Sequence, residues 1–415
     1  MLLQIPTQIR TRSAAVIPLL LALFCVCGSR DLRCGESVIA GGPDVFVEVR
    51  HIVLRGSNFD IGRQIAAVAM NDGIEIVKTP DVLLNRAKRK YMARNYPILY
   101  ERMKGVASAY GLSIEDDSYD FTRLSQVTKG SPGCSVAFYP GKYSQNNHSI
   151  LNRNFDFHTG TIQGKYPRKG EIAVMARPIL FEIHPDDGYS SLSPCAFDYL
   201  GGVSEGINSE GLAVAMLGEE ESLRMLGRDP GDEVGLHELM SMRYLLDNCR
   251  NVEEAKEALL ALKHFYSFIP CHYIVADRSG KSFVFEFSPN RNRSYIIDGK
   301  GPQCVTNHLV SRHKTVEKTP DEDWGGTFNR YKVLQEAITA SKEYSLSEMA
   351  DINRRVAVPP TSLGRGEFAP QRTLWFAQYD LGEKPDPQNA GTVVFVYSEP
   401  LVVKLKDATE SEGNR

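Results

Sequence analysis

The feature that most constrains this chain is that its strand-length apolar runs arrive in pairs joined by tight turns. Cys271 to Ala276 and Ser282 to Phe287 flank Asp277-Arg278-Ser279-Gly280, a hairpin signal. Two further runs between Gly202 and Leu217 flank Asn208-Ser209-Glu210-Gly211, also read as a hairpin turn. Ser135 to Tyr139 and Ile150 to Phe155 are separated by a turn around Gly141. Hairpins build antiparallel sheets, whereas a doubly wound parallel sheet needs strands alternating singly with helices. The expected class is therefore α+β.

Helices flank these pairs. Asn58 is read as the cap of a helix through Gln64 to Met70, and Asp81 to Tyr110 as a long amphipathic helical region in which Pro97 marks a kink or a break. Gly235 to Leu262 carries a broad apolar stripe, and Thr327 to Ser341 reads as a late helix. Val45 to Arg55, Glu171 to Ala176, Ile179 to Ile183 and Thr392 to Tyr397 are further strand candidates. The chain has 415 residues and a formal charge of −3, so no basic excess points to nucleic acid as a partner.

The first residues read as a leader. Arg10 and Arg12 precede a 13-residue apolar run, Ala14 to Val26, followed by Gly28. That run falls short of the roughly 20 apolar residues a membrane span needs, and it fits a secretory signal over residues 1–28. The expected location is secreted, periplasmic or lysosome-like, and an integral membrane protein is not expected. Asn147-His148-Ser149 and Asn292-Arg293-Ser294 are acceptor sequences for glycans on such a chain. Six cysteines follow the leader: Cys34, Cys134, Cys195, Cys249, Cys271 and Cys304. In an oxidising compartment they first suggest three disulfides. None has metal-ligand spacing.

Several familiar motifs fail. His237-Glu238-Leu239-Met240-Ser241 has Ser241 where a zinc protease needs its second histidine. Gly280-Lys281-Ser282 lacks the first glycine of a phosphate loop and runs from turn into strand. Gly201-Gly202-Val203-Ser204-Glu205-Gly206 lacks dinucleotide spacing. No cofactor or metal is expected.

One constellation remains. Ser131-Pro132-Gly133-Cys134-Ser135 opens a strand, and the next strand carries Asn152-Arg153-Asn154-Phe155-Asp156. Gly206-Ile207-Asn208-Ser209-Glu210-Gly211-Leu212, the Asp277 to Gly280 hairpin with Val284-Phe285-Glu286, Val305-Thr306-Asn307-His308 and Asn329-Arg330-Tyr331 follow in order. This series, over roughly residues 45 to 400, resembles the N-terminal nucleophile hydrolases. It is most similar to their acyl-coenzyme A:isopenicillin N acyltransferase branch, with acid ceramidase and choloylglycine hydrolase as more distant relatives. The resemblance implies a four-layer αββα sandwich, two antiparallel sheets between helical layers. It also implies self-cleavage between Gly133 and Cys134. Residues 29–133 then form a mainly helical pro-segment or small subunit, and residues 134–415 the catalytic large subunit, which stay associated.

The chemistry suits these residue types. Glycine before the cut lets the backbone bend, and a freed α-amine with pKa roughly 7.7–8.0 serves as the nucleophile's own base. By the resemblance, Cys134 is the nucleophile, Arg153 the cation beside it, and Asp156 the carboxylate that holds the amine or thiol. Asn307 matches an asparagine whose amide binds the oxyanion, Arg330 a supporting arginine, and Gly218 an oxyanion position acting through its backbone N–H. A nearby cation is expected to lower the thiol's pKa. Strand alternation puts Arg153 and Asp156 on opposite faces, so a bend or a strand end near Asn154 is expected if both are to reach the site. His308 and Asp277 are read as structural.

The expected activity is hydrolysis of a linear, non-peptide amide of a small-molecule substrate through a Cys134 thioester. Three alternatives stay open: acyl transfer from an acyl-coenzyme A-type donor to an amine, a lipid amidase resembling acid ceramidase, and a non-catalytic secreted binding protein that keeps the fold. A hydrolase of small amine conjugates, like the insect β-alanyl-amine hydrolase, is a further relative. A papain-like protease is disfavoured, because no glutamine and aromatic signature surrounds Cys134. Setting Cys134 aside leaves five cysteines, room for at most two bridges, and acid ceramidase suggests one from Cys34 that ties the two pieces together.

Overall fold

A computed structural model describes residues 35–40, 48–124, 133–157, 177–219, 221–222, 233–267, 269–288, 293–313, 316, 323–339, 343–358, 372–382 and 392–395. The leader, Cys34, Ser131, Pro132, Asn292 and the Glu171 to Ala176 strand candidate lie outside them. In chain order come β1 (Gly35–Ala40), β2 (Val49–Gly56), α1 (Asn58–Asn71), α2 (Val82–Asn95) and α3 (Pro97–Ala109). Then follow β3 (Gly133–Tyr139), β4 (Ile150–Phe157), β5 (Ile179–Pro185), β6 (Ser191–Cys195), β7 (Glu205–Asn208) and β8 (Leu212–Gly218). After these are α4 (Glu238–Asn248), α5 (Val252–Ala261), β9 (Cys271–Asp277), β10 (Ser282–Ser288), β11 (Arg293–Asp298) and β12 (Gln303–Val305). The last are α6 (Thr327–Ile338), α7 (Leu346–Arg354), β13 (Arg372–Asp380) and β14 (Thr392–Phe395).

Among the described residues the strands form two sheets. One runs β1-β2-β5-β6-β7-β8-β9-β10-β11 and the other β12-β3-β4-β13-β14. The pairs are antiparallel except β2 with β5, which is parallel. That one parallel pair sits in otherwise antiparallel sheets because α1 to α3 and the β3–β4 hairpin intervene, and β5 rejoins β2 by a long crossover.

Alternation along β3 shows how the layers stack. Cys134, Val136 and Phe138 enter one apolar cluster with Val214, Ile274 and Phe285 of the larger sheet. Ala137 and Tyr139, on the opposite face, pack with Phe328, Leu334 and Ile352 of α6 and α7. A third cluster joins β2 and β5 to α1 and α3 through Ile52, Leu54, Ile61, Met103 and Phe181. The order is therefore helix, sheet, sheet, helix, the four-layer sandwich that the resemblance implies. Because both faces of β3 and β4 are covered, every residue of both strands is buried.

Local chemistry explains most boundaries. Ser57 rather than Asn58 caps α1, its side chain accepting from the Asp60 N–H. Pro97 opens α3, where its missing N–H costs nothing. Helices α1 and α3 cross at glycines: a Cβ on Gly62 would lie 2.1 Å from the Arg102 carbonyl oxygen, and one on Gly105 2.0 Å from that of Phe59. The stripe from Gly235 to Leu262 divides into α4 and α5, because Asn251 caps the second helix through the Glu254 N–H. Among the described residues no helix is long and apolar enough to cross a membrane. Cys134, Cys195, Cys249, Cys271 and Cys304 are all buried free thiols, so none of the expected bridges forms among these five.

Candidate active site

The site gathers where β3 begins. Register pairs Gly133 with Asp156 and Cys134 with Phe155 across β3 and β4. On the other side, β12 pairs Val305 with Val136. Two residues further on, Asn307 comes level with Cys134. The backbone N–H of Cys134 donates to Asn307 Oδ1 at 2.8 Å. That nitrogen is the one a cut after Gly133 would free.

Arg330 reaches the same point from the first turn of α6. Its Nη1 donates to the Cys134 carbonyl at 2.5 Å and to Ser135 Oγ at 2.8 Å. Its Nη2 donates to Asn307 Oδ1 at 2.8 Å, and Nε to the Gly325 carbonyl at 3.2 Å. Two donors on Oδ1 fix which way the Asn307 amide faces. Its Nδ2 then donates to the Gly218 carbonyl at 2.7 Å. In the uncut chain Asn307 thus holds the Cys134 nitrogen, with its N–H turned toward Gly218 rather than open for an oxyanion. Gly218 enters this contact through its carbonyl, not through the N–H that the sequence suggested.

Arg153 approaches the sulfur from the inter-sheet face. Its Nη2 lies 3.3 Å from Cys134 Sγ and 2.8 Å from the Met216 carbonyl, and its Nη1 donates to Glu205 Oε1 at 2.6 Å. Asp156 points to the other face, where Thr373 Oγ1 donates to Oδ1 at 2.5 Å and Oδ2 is buried without a partner. No bend in β4 brings them together: its register with β3 runs unbroken. Cys134 sits at the strand end, and the two side chains bracket it from opposite faces of the sheet. The irregularity lies on β13 instead, between Thr373 and Trp375.

Electrostatics correct a second expectation. Burial pushes the Cys134 thiol up; Arg153 and Arg330 lower it, Asp156 and Glu205 raise it, and burial prevails. The uncut chain therefore keeps this thiol protonated despite its cation. Burial likewise lifts the Asp156 carboxyl to about 6, against Arg330, Thr373 and Arg153, which favour its charge. His308 is driven down to about 3, first by burial. It stacks on Phe328, with centroids 4.4 Å apart, and its Nδ1 lies 3.2 Å from the hydroxyls of Thr306 and Thr327. A neutral, sandwiched ring suits the structural role read for it. Asp277 is structural as well: it accepts from Ser279 and from the Val252 N–H that begins α5.

The structure thus brings together Gly133, Cys134, Arg153, Asp156, Gly218, Asn307 and Arg330. Sequence reasoning missed Glu205, Thr373 and Trp375, whose Nε1 donates to Glu205 Oε1 at 2.5 Å. A glutamate immediately before the Gly206 to Leu212 hairpin motif was the one available signal. Asn147 stands apart, exposed on a turn with φ of 59°.

A buried strand-end cysteine with a guanidinium on its sulfur, another on its carbonyl and an amide on its nitrogen can support attack on an adjacent carbonyl. Penicillin V acylase from Agrobacterium tumefaciens is similar at 18% identity and TM-score 0.40, over 64% of this chain and 84% of that one. A mutant of conjugated bile acid hydrolase from Clostridium perfringens is similar at 15% identity and TM-score 0.40, over 66% and 98%. No curated protein matches the sequence. The family model described as acyl-coenzyme A:6-aminopenicillanic acid acyl-transferase matches residues 143–380, which hold Arg153, Asp156, Gly218, Asn307 and Arg330. With more than half of its length matched, the chain belongs to the acyl-coenzyme A:6-aminopenicillanic acid acyl-transferase family.

Proposed function

We propose that the chain is a secreted, self-processing cysteine hydrolase of linear, non-peptide amides. In the first reaction the Cys134 sulfur attacks the Gly133 carbonyl carbon. A C–S bond forms, the C–N bond to Cys134 breaks, and the thiol proton goes to the departing nitrogen. Water then hydrolyses the thioester, leaving Gly133 as a carboxylate and Cys134 with a free α-amine and thiol. The observation that carries this reading is the hydrogen bond from the Cys134 nitrogen to Asn307 Oδ1, itself held by Arg330. The future amine is seated before it exists.

On a substrate, the amine takes the thiol proton as sulfur attacks the amide carbonyl. The substrate's amine leaves with that proton, and water resolves the acyl thioester. Arg153 faces the developing thiolate at 3.3 Å. Asp156, level with Gly133 and ionised above about pH 6, is suited to hold the new ammonium. Once Gly133 has left, movement of the Asn307 amide from the Gly218 carbonyl to the substrate oxygen supplies an oxyanion donor, worth roughly 10²–10³ in rate.

A second reading follows from the family's description. An amine instead of water takes the acyl group, which makes the protein an acyltransferase and needs an acceptor pocket that excludes water. A panel of acyl amides, from lipid amides to small amine conjugates, is assayed on processed enzyme with and without an amine acceptor. Free acid in both arms supports hydrolysis; acyl-amine product in the second supports transfer. Full turnover by Cys134→Ala contradicts both.

A further inference from the structure

Arg153 does not meet the sulfur alone. Glu205 comes from β7 in the facing sheet and is wholly buried, as Arg153 is. Its Oε1 accepts from Arg153 Nη1 at 2.6 Å and from Trp375 Nε1 at 2.5 Å. Phe155 lies under the guanidinium at 4.7 Å and stacks on the Trp375 indole at 3.9 Å. The two terminal nitrogens of the guanidinium are thus fixed: a ring lies beneath it, a carboxylate holds one nitrogen, and the Met216 carbonyl and the sulfur take the other, while Nε has no partner among the described residues. A fully buried ion pair adds little net stability over apolar residues of similar size. A wholly buried glutamate at this point of β7 is therefore poorly explained by folding alone.

We propose that Glu205 is a positioning residue for the cysteine chemistry: it holds the Arg153 guanidinium against the Cys134 sulfur and offsets part of its charge there. The inference rests on the reading of Cys134 as nucleophile. Charge offset matters because the amine must take the thiol's proton at the moment of attack. A bare guanidinium would strip that proton earlier and leave a more stable, less nucleophilic thiolate. The groups facing the thiol are Arg153 and Asp156 from β4, Arg330 from α6, Glu205 from β7 and Cys271 from β9. Glu205 in turn faces Arg153, Trp375 and Tyr379.

The test is the pH dependence of Cys134 alkylation by iodoacetamide in processed enzyme, read beside kcat and KM. Glu205→Gln keeps an oxygen for both donors and removes the charge. Its alkylation midpoint should fall by on the order of one pH unit. A midpoint within ~0.2 unit of wild type overturns charge offset, since a merely structural role moves stability and not the midpoint. Glu205→Asp keeps the charge on a shorter arm. It should hold the midpoint and lower kcat about tenfold with KM unchanged; an unchanged kcat overturns the positioning role, and this variant carries the test if Glu205→Gln does not fold. Failure of the parent reading looks different: wild-type enzyme would stay active after Cys134 is alkylated.

Discussion

Replacing Asp156 with asparagine should make the uncut protein more stable, in a pH window fixed by the site. Asp156 is wholly buried, and its carboxyl sits at about 6 against an ordinary value of 3.8. Below about pH 4 the folded and unfolded chains both carry the proton, so the group imposes no penalty. As pH rises from about 4 to about 6, the unfolded chain loses the proton while the folded chain holds it, and stability falls. Above about 6 the loss is complete. About two pK units at 1.36 kcal/mol each give about 3 kcal/mol. Asparagine is neutral throughout, and its Oδ1 can still accept from the Thr373 hydroxyl. Both proteins are made on a Cys134→Ala background, so that neither can cut itself, and are unfolded in urea at pH 4 and pH 8. The asparagine variant should be more stable by about 3 kcal/mol at pH 8 and nearly equal at pH 4. Equal or lower stability at pH 8 would refute the reasoning, because Asp156 would then not be a carboxylate whose burial costs the fold. With Cys134 restored, the same substitution should slow both cutting and turnover, as expected of a group kept for chemistry at the expense of stability.

Other outcomes follow from the same geometry. Arg330→Ala strips the Cys134 carbonyl, Ser135 and Asn307 of a shared donor, and should cost about 3 kcal/mol in denaturant melts and slow cutting at least ~100-fold. Arg330→Lys should not rescue it, because one ammonium cannot reproduce the planar fork. Gly105→Ala puts a methyl 2.0 Å from the Phe59 carbonyl oxygen, forcing α1 and α3 apart; thermal melts should show a loss of about 3 kcal/mol. His308, held near 3 and neutral at working pH, contributes no limb to the pH–rate profile, so His308→Gln should leave its midpoints in place.

What could be read from the sequence divides along physical lines. Cys134, Asn307 and Arg330 were found through the ordered motifs that carry the family resemblance, because each lies in a short segment whose residue types can be read locally. Arg153 and Asp156 were found with them, and alternation left open whether a bend or a strand end lets both reach the site; the register of β4 with β3 shows no bend. Glu205 and Trp375 could not be found the same way: they meet Arg153 from strands 52 and 222 residues away in sequence, and no local pattern encodes that packing. Strand β6 was hidden by Pro194. Its pairing with β7 covers only Ser191 and Leu192, so the missing N–H of Pro194 leaves no β7 partner wanting. Strand β13 was hidden because both its faces pack, which erases the period of two; Leu374, Trp375, Ala377 and Tyr379 are all buried. Thiol acidity was misjudged for a related reason: a neighbouring arginine is visible in sequence, and complete burial is not.

The central claim is that Cys134 becomes the first residue of a mature chain. Amino-terminal sequencing with intact-mass measurement of active protein tests it most directly. The account predicts two pieces, the larger beginning at Cys134 and holding 282 residues, with Cys134→Ala remaining whole and inactive. Active enzyme in which the Gly133–Cys134 bond is intact would contradict it.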